Sequence, residues 1–129
     1  MNAKNKPFDL YHILNANAMF SFTSGLILLL ARKPLGEFLG ASPLVLGIVM
    51  AILFGYAALI AFNTQLRPKI SRGFTLFTVV GDSGWVPASI LLLVLPIFNF
   101  STDAKWAIGV IAIFVDIFAT LQFLEWRKM

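Results

Sequence analysis

Long apolar runs separated by short polar breaks dominate the chain. About 20 apolar residues cross the hydrocarbon core of a bilayer as an α-helix. Four stretches reach that length, at residues 10–31, 43–62, 74–98 and 105–126. The breaks carry charge, proline and glycine: Arg32, Lys33, Pro34 and Gly36 after the first span, then Gln65 to Lys69 after the second. Asn99 to Asp103 follow the third span. These residues read as loops that stop one helix and start the next. Ser42 before Pro43 predicts an N-cap serine with proline at the first helical position. One of Ser101, Thr102 and Asp103 is expected to cap the fourth helix. Membrane β-strands would alternate apolar and polar side chains. Leu26-Ile27-Leu28-Leu29-Leu30 does not alternate, so a barrel is excluded. The expected fold is all-α: one transmembrane domain over residues 1–129, an antiparallel four-helix bundle joined by short loops.

Charge sets the orientation. Lys4, Lys6, Arg67, Lys69, Arg72, Arg127 and Lys128 fall on one side of such a bundle, and Arg32, Lys33 and Lys105 on the other. Short basic loops stay in the cytoplasm, so both termini and the middle loop are expected there. Trp106, Trp126 and Tyr11 are expected to anchor span ends at the interfaces. Lys4, Lys6 and Ala16-Asn17-Ala18 have the flavour of a secretory signal. The main apolar run follows that point instead of preceding it, so the first span is expected to be retained.

Composition narrows the chemistry. Of 129 residues, 59% are hydrophobic and 12% charged. Soluble domains carry about 25% charged residues, so the surface is expected to face lipid. The absence of cysteine excludes disulfides, thiolate catalysis and iron–sulfur clusters. With His12 as the sole histidine, one chain cannot build a multi-histidine metal or haem site, and no metal or cofactor is expected. No nucleophile–base pair is visible, so no enzyme is expected. The basic residues are scattered over loops, which argues against nucleic acid.

Polar groups within the spans are then the main functional signal. Asp82 and Asp116 each cost roughly 2.5–3.5 kcal/mol near a helix centre on insertion scales, so each is expected to face inward and find a partner. At 1.5 Å per residue from the cytoplasmic ends, Asp82 lies roughly 12 Å deep and Asp116 roughly 15 Å. Asn15 and Asn17 lie roughly 8–10 Å deep and Gln122 roughly 6 Å. Helical spacing places Asn17, Ser21 and Ser24 on one face of the first helix. Thr78, Asp82, Trp85 and Ser89 share a face of the third, and Gly109, Ala112, Asp116 and Ala119 a face of the fourth. Gly81, Gly84 and Pro87 predict a kink or local unwinding beside Asp82. Gly47, Ala51 and Gly55 form a small-residue stripe expected to let helices pack closely. The candidate ligand-binding residues are therefore Asn15, Asn17, Asp82, Trp85, Asp116 and Gln122. They are expected to converge on a polar inner-leaflet pocket, with at least one of Asn15 and Asn17 bonded to Asp82.

Asn15-Ala16 or Asn17-Ala18, Phe20-Ser21, Ser24-Gly25, Gly81-Asp82, Trp85-Val86, Ser89, Ala119 and Leu121-Gln122 together resemble a group of small bacterial four-helix integral membrane proteins of uncharacterised function. The resemblance covers most of the chain. It implies a multi-pass protein of the bacterial inner (cytoplasmic) membrane in which Asp82, Trp85 and Gln122 act together, and it supplies no substrate. Small multidrug resistance proteins are similar in length and helix count but carry a membrane carboxylate in their first helix, where this chain has none. Two functions stay open. One is a binding or scaffold bundle for a lipid-like or amphiphilic ligand, a second copy or another membrane protein. The other is a small proton- or cation-coupled transporter using Asp82 or Asp116.

Overall fold

A computed structural model describes residues 8–40, 42–95 and 101–129. The described residues form helices and connecting turns, with no strand among them. In chain order the helices are α1 (Phe8–Leu30), α2 (Arg32–Leu39), α3 (Pro43–Ala61), α4 (Arg72–Val94) and α5 (Thr102–Arg127). A π-helical turn, Phe62–Leu66, prolongs α3. Four segments are long and apolar enough to cross a membrane: 22 residues of α1, 24 of α3 with its π turn, 23 of α4 and 26 of α5. They mark the chain as a multi-pass membrane protein.

Serine starts three of these helices. The Ser42 Oγ accepts from the Val45 N–H at 3.2 Å, with Pro43 in the first turn. The Ser71 Oγ accepts from Phe74 at 3.0 Å, and Ser101, the first of the three expected caps, accepts from Ala104 at 3.1 Å. Each satisfies one of the N–H groups that a helix start leaves without an intrahelical partner.

Three expectations need correction. The segment from Arg32 to Gly36 is not a loop but the body of α2. Pro34 lies in its first turn, where its missing N–H costs nothing, and Gly40 ends it in the left-handed conformation at φ 69°. Gln65, also expected in a loop, belongs to the π turn. Third, of the kink or local unwinding expected between Gly81 and Pro87, the unwinding is absent: α4 stays helical to Val94, with Leu95 extended. Its predicted continuation over 96–98 lies outside the described residues, as do Lys4, Lys6, Asn99 and Phe100.

Tyr11 of α1 meets Gln65 beyond α3, while Phe22 further along α1 meets Phe54 at a ring separation of 5.5 Å. Phe20 of α1 lies 5.7 Å from Phe118 and 6.3 Å from Phe114 of α5. The Arg72 guanidinium, at the start of α4, sits 4.2 Å over the Trp126 ring near the end of α5. Leu10, Leu14, Ala18, Ile60 and Ile70 form a buried apolar cluster, flanked by Tyr11, Tyr56 and Phe74. Ile70, in the turn before α4, is 1% exposed and closes this end of the molecule.

Close helix approach occurs at Gly25, not at the small-residue stripe of α3. A Cβ on Gly25 would lie 2.9 Å from the Phe54 ring. Gly47 and Gly55 have nothing within 4 Å of that position, and Ala51 is exposed. The stripe lies on the outward side of α3, opposite the buried line of Leu46, Ala57 and Ile60.

Candidate functional site: a saturated carboxylate between four helices

Asp82 sits near the middle of α4, 2% exposed. Each of the other three long helices sends it one side chain. Asn17 of α1 donates from Nδ2 to Asp82 Oδ2 at 2.8 Å, and Gln122 of α5 donates from Nε2 to the same oxygen at 2.8 Å. The Tyr56 hydroxyl of α3 donates to Asp82 Oδ1 at 2.9 Å. Asn17 Nδ2 also donates to Gln122 Oε1 at 2.8 Å, closing a three-membered ring of side chains. Asn17 is 3% exposed and Gln122 fully buried.

Helical spacing explains the convergence. Asn17, Ser21 and Ser24 form one stripe, of which Asn17 and Ser21 are buried. Thr75, Thr78, Asp82 and Ser89 form the buried polar stripe of α4, and Val115, Ala119 and Gln122 the buried line of α5. Thr78 turns its hydroxyl onto the Thr75 carbonyl at 2.7 Å, so it needs no partner across the interface. Ala119 is small enough to leave the long Gln122 side chain room to reach α4.

The bonds have a consistent polarity. Both Asp82 oxygens act as acceptors, and amide N–H groups fill Oδ2 twice. The Tyr56 oxygen also lies 3.4 Å from the Thr78 carbonyl. A proton arriving at Asp82 would therefore go to Oδ1, which would donate to Tyr56 while the tyrosine hydroxyl turned to Thr78. No cation takes part, since the salt bridge among the described residues, Lys128 to Glu125 at 3.1 Å, lies on the surface. Hydrogen bonds to a charged group contribute about 1.5–3 kcal/mol each, so three offset the roughly 2.5–3.5 kcal/mol of placing an aspartate in a span.

A second polar cluster lies nearer the start of α1. Asn15 Oδ1 accepts from Gln65 Nε2 at 2.9 Å and from Thr64 Oγ1 at 3.2 Å, and its Nδ2 donates to the Tyr11 carbonyl at 2.7 Å. Gln65 Nε2 also donates to the Tyr11 hydroxyl at 3.0 Å. The π turn presents Thr64 and Gln65 together toward α1.

The expected candidates thus separate. Asn17, Asp82 and Gln122 meet. Asn15 binds the π turn instead, because two residues along a helix turn it about 200° away from Asn17. Trp85 is half-buried one turn beyond Asp82 and contributes none of the bonds to it. Asp116 does not face inward: it is exposed, about 100° round α5 from the buried Val115. The expected open pocket is a filled polar core. Two cavities, of about 470 and 430 Å³, lie at the periphery, the first beside Leu93, Lys105 and Gly109 and the second beside Arg32, Glu37 and Pro43. Neither is lined by Asp82 or its partners.

Tyr56, Thr64 and Gln65 are the contributors that spacing arguments missed. For Tyr56 a signal exists: it is the only side chain between Pro43 and Phe62 with a hydroxyl, amide or charge. No family model, curated protein or solved structure matches the chain, so the site's meaning rests on its own geometry.

Proposed function

We propose that this chain is a scaffold of the bacterial inner membrane, an antiparallel four-helix bundle with both termini in the cytoplasm that binds another component within the bilayer. The supporting observation is the enclosure of Asp82. A carboxylate that carries ions or grips a ligand needs space beside it, and this one is filled by Asn17, Tyr56 and Gln122. One side chain from each long helix converges on a single point, which fixes rotation and register of all four. Polar groups in an apolar bundle serve this specifying role because their misplacement leaves donors unsatisfied in hydrocarbon.

The contact order favours the antiparallel arrangement. Residues 11 and 22 of α1 meet 65 and 54, and residues 17 and 20 meet 122 and 118. In both pairs one number rises as the other falls. The seven-to-three distribution of Lys and Arg favours the cytoplasmic placement of the termini. The resemblance to small bacterial four-helix proteins favours the same membrane.

The test has two arms. A reporter active only outside the cytoplasm, fused after Met129, is expected to stay silent, and a strong signal overturns the orientation. Vesicles holding the purified chain and a pH-sensitive dye are expected to leak protons no faster than empty ones. Gradient-driven flux that Asp82→Asn abolishes would overturn the scaffold and establish a transporter.

A further inference from the structure

Asp116 is the one carboxylate placed deep within a span that the fold leaves outside its polar core. It lies about 16 Å from Arg127 and about 21 Å from Thr102 along α5, near the middle of a hydrocarbon layer about 30 Å thick. It is exposed, with no hydrogen-bond or ion-pair partner among the described residues. Apolar side chains surround it on the same outer surface: Ile113 is 63% exposed and Ile117 49%. In a bilayer this carboxylate faces lipid tails, which offer no donor. An ionised carboxylate at that depth calls for a group of opposite charge beside it.

Two further features shape the face. Gly109, Ala112, Asp116 and Thr120 follow one another at intervals of three and four residues, giving a single stripe along α5. A Cβ on Gly109 would meet nothing within 4 Å, and Thr120 is exposed like Asp116. Small residues above the carboxylate let a neighbouring helix backbone approach, and the threonine below adds a second polar contact.

Charge decides what that neighbour is. The chain holds no Lys or Arg between Phe8 and Leu30, between Pro43 and Leu66, between Gly73 and Val94, or between Trp106 and Trp126. A second copy docked on this face would bring another Asp116 and another Thr120, and no cation. We propose that the Gly109–Thr120 face of α5 docks a transmembrane helix of a different protein, one that carries a Lys or Arg at mid-membrane depth and pairs it with Asp116. The proposal rests on the scaffold function above and names the chemistry of the component that the scaffold binds.

The test uses the full chain, labelled at its C-terminus, in vesicles of phosphatidylethanolamine and phosphatidylglycerol. The probes are labelled leucine–alanine transmembrane peptides with a central lysine, leucine or glutamate. Energy transfer reports association. The lysine peptide is expected to bind about tenfold more tightly than the leucine peptide. Asp116→Asn is expected to reduce it to the leucine level, and Asp116→Glu to retain the preference. Equal binding of the lysine and leucine peptides overturns the proposal, as does a lysine preference that survives Asp116→Asn. Energy transfer between two copies of the chain that Asp116→Asn abolishes also overturns it, by making the face a self-association surface. Proton flux through wild-type vesicles without peptide would instead strike at the scaffold function, so the two failures are distinguishable.

Discussion

Asp82 and Asp116 are the two aspartates that lie deep within long apolar helices, and the fold treats them in opposite ways. Asp82 is enclosed by three donors from three other helices. Asp116 stands exposed among isoleucines, without a partner among the described residues. Their chemistry is the same, so the difference lies in which stripe of its helix each occupies. Asp82 continues the line of Thr75, Thr78 and Ser89, which α4 buries. Asp116 is one residue off the line of Val115, Ala119 and Gln122, and one residue on a helix is about 100°. An intramembrane carboxylate is thus no single signal: one orders the bundle, and the other leaves a demand that the bundle does not meet.

Removing the enclosed carboxylate breaks this comparison most severely. Asp82→Leu leaves Asn17, Tyr56 and Gln122 with donors aimed at a hydrocarbon side chain, at about 1–3 kcal/mol for each unsatisfied group. The expected loss is about 3–5 kcal/mol, read from reversible unfolding in mixed detergent micelles followed by circular dichroism. Asp82→Asn is expected to lose less than about 1 kcal/mol. Its amide oxygen can take the place of Oδ2, and its NH₂ group can donate to the Tyr56 oxygen. A leucine variant as stable as the wild type would remove the ordering role assigned to Asp82.

The ring itself comes next. Gln122→Leu and Asn17→Leu each strip Asp82 of one donor and the other amide of a partner, so each is expected to lose about 2 kcal/mol. Because the two side chains bond to each other as well as to Asp82, the double variant is expected to deviate from additivity by about 1 kcal/mol or more. Asn15→Leu, in the more exposed cluster at the π turn, is expected to lose about 0.6 kcal/mol, near the average for intramembrane hydrogen bonds, and to be additive with Gln122→Leu. Additivity throughout would mean that the ring does not act as a unit.

What the sequence made legible follows from this contrast. The spans and the serine caps at Ser42 and Ser101 were readable because hydrophobic length and capping chemistry are local, whereas the cap at Ser71 was not singled out. Asn17, Asp82 and Gln122 were readable as a group because each carries a strongly polar side chain, at similar depth, on a long and mainly apolar helix. Three things were not readable. Pro34 and Gly36 are stop signals in most contexts, and only the entry point of α2 made Pro34 harmless. The π turn, which delivers Thr64 and Gln65 to Asn15, leaves no mark in hydrophobic spacing. The inner side of α5 was the hardest, because Gly109, Ala112, Asp116 and Ala119 fit a helix face as well as Val115, Ala119 and Gln122 do. Small residues occur on both sides, and only packing against α1 and α4 selects one.

Two glycine substitutions sharpen the difference between inward and outward surfaces on a smaller scale. Gly25→Ala places a methyl group 2.9 Å from the Phe54 ring, which already packs on Phe22. The ring must shift, and the expected loss is about 1–2 kcal/mol. Gly55→Ala meets open space on the outward side of α3 and is expected to gain about 0.5–1 kcal/mol from helix propensity. Thermal unfolding of the two variants side by side checks the sign of each. A stabilising Gly25→Ala would mean that α1 and α3 are not held at this contact.

The smallest effect is expected where a charge in a membrane would ordinarily promise the largest. Asp116→Leu removes no side-chain hydrogen bond among the described residues and fills no interior space, so unfolding stability in detergent is expected to stay within about 0.5 kcal/mol of wild type. Insertion tells a different story. A lipid-facing aspartate near mid-membrane costs roughly 2.5–3.5 kcal/mol on insertion scales, so α5 tested alone in a translocon insertion assay is expected to insert more completely with leucine at 116. The two measurements together separate a group that the fold needs from one that it merely carries. A loss of 2 kcal/mol or more in detergent would place Asp116 in an internal contact and remove the asymmetry between the two aspartates. Unchanged detergent stability with improved insertion would leave a carboxylate that burdens insertion without stabilising the fold, as expected of a group whose partner lies outside the chain.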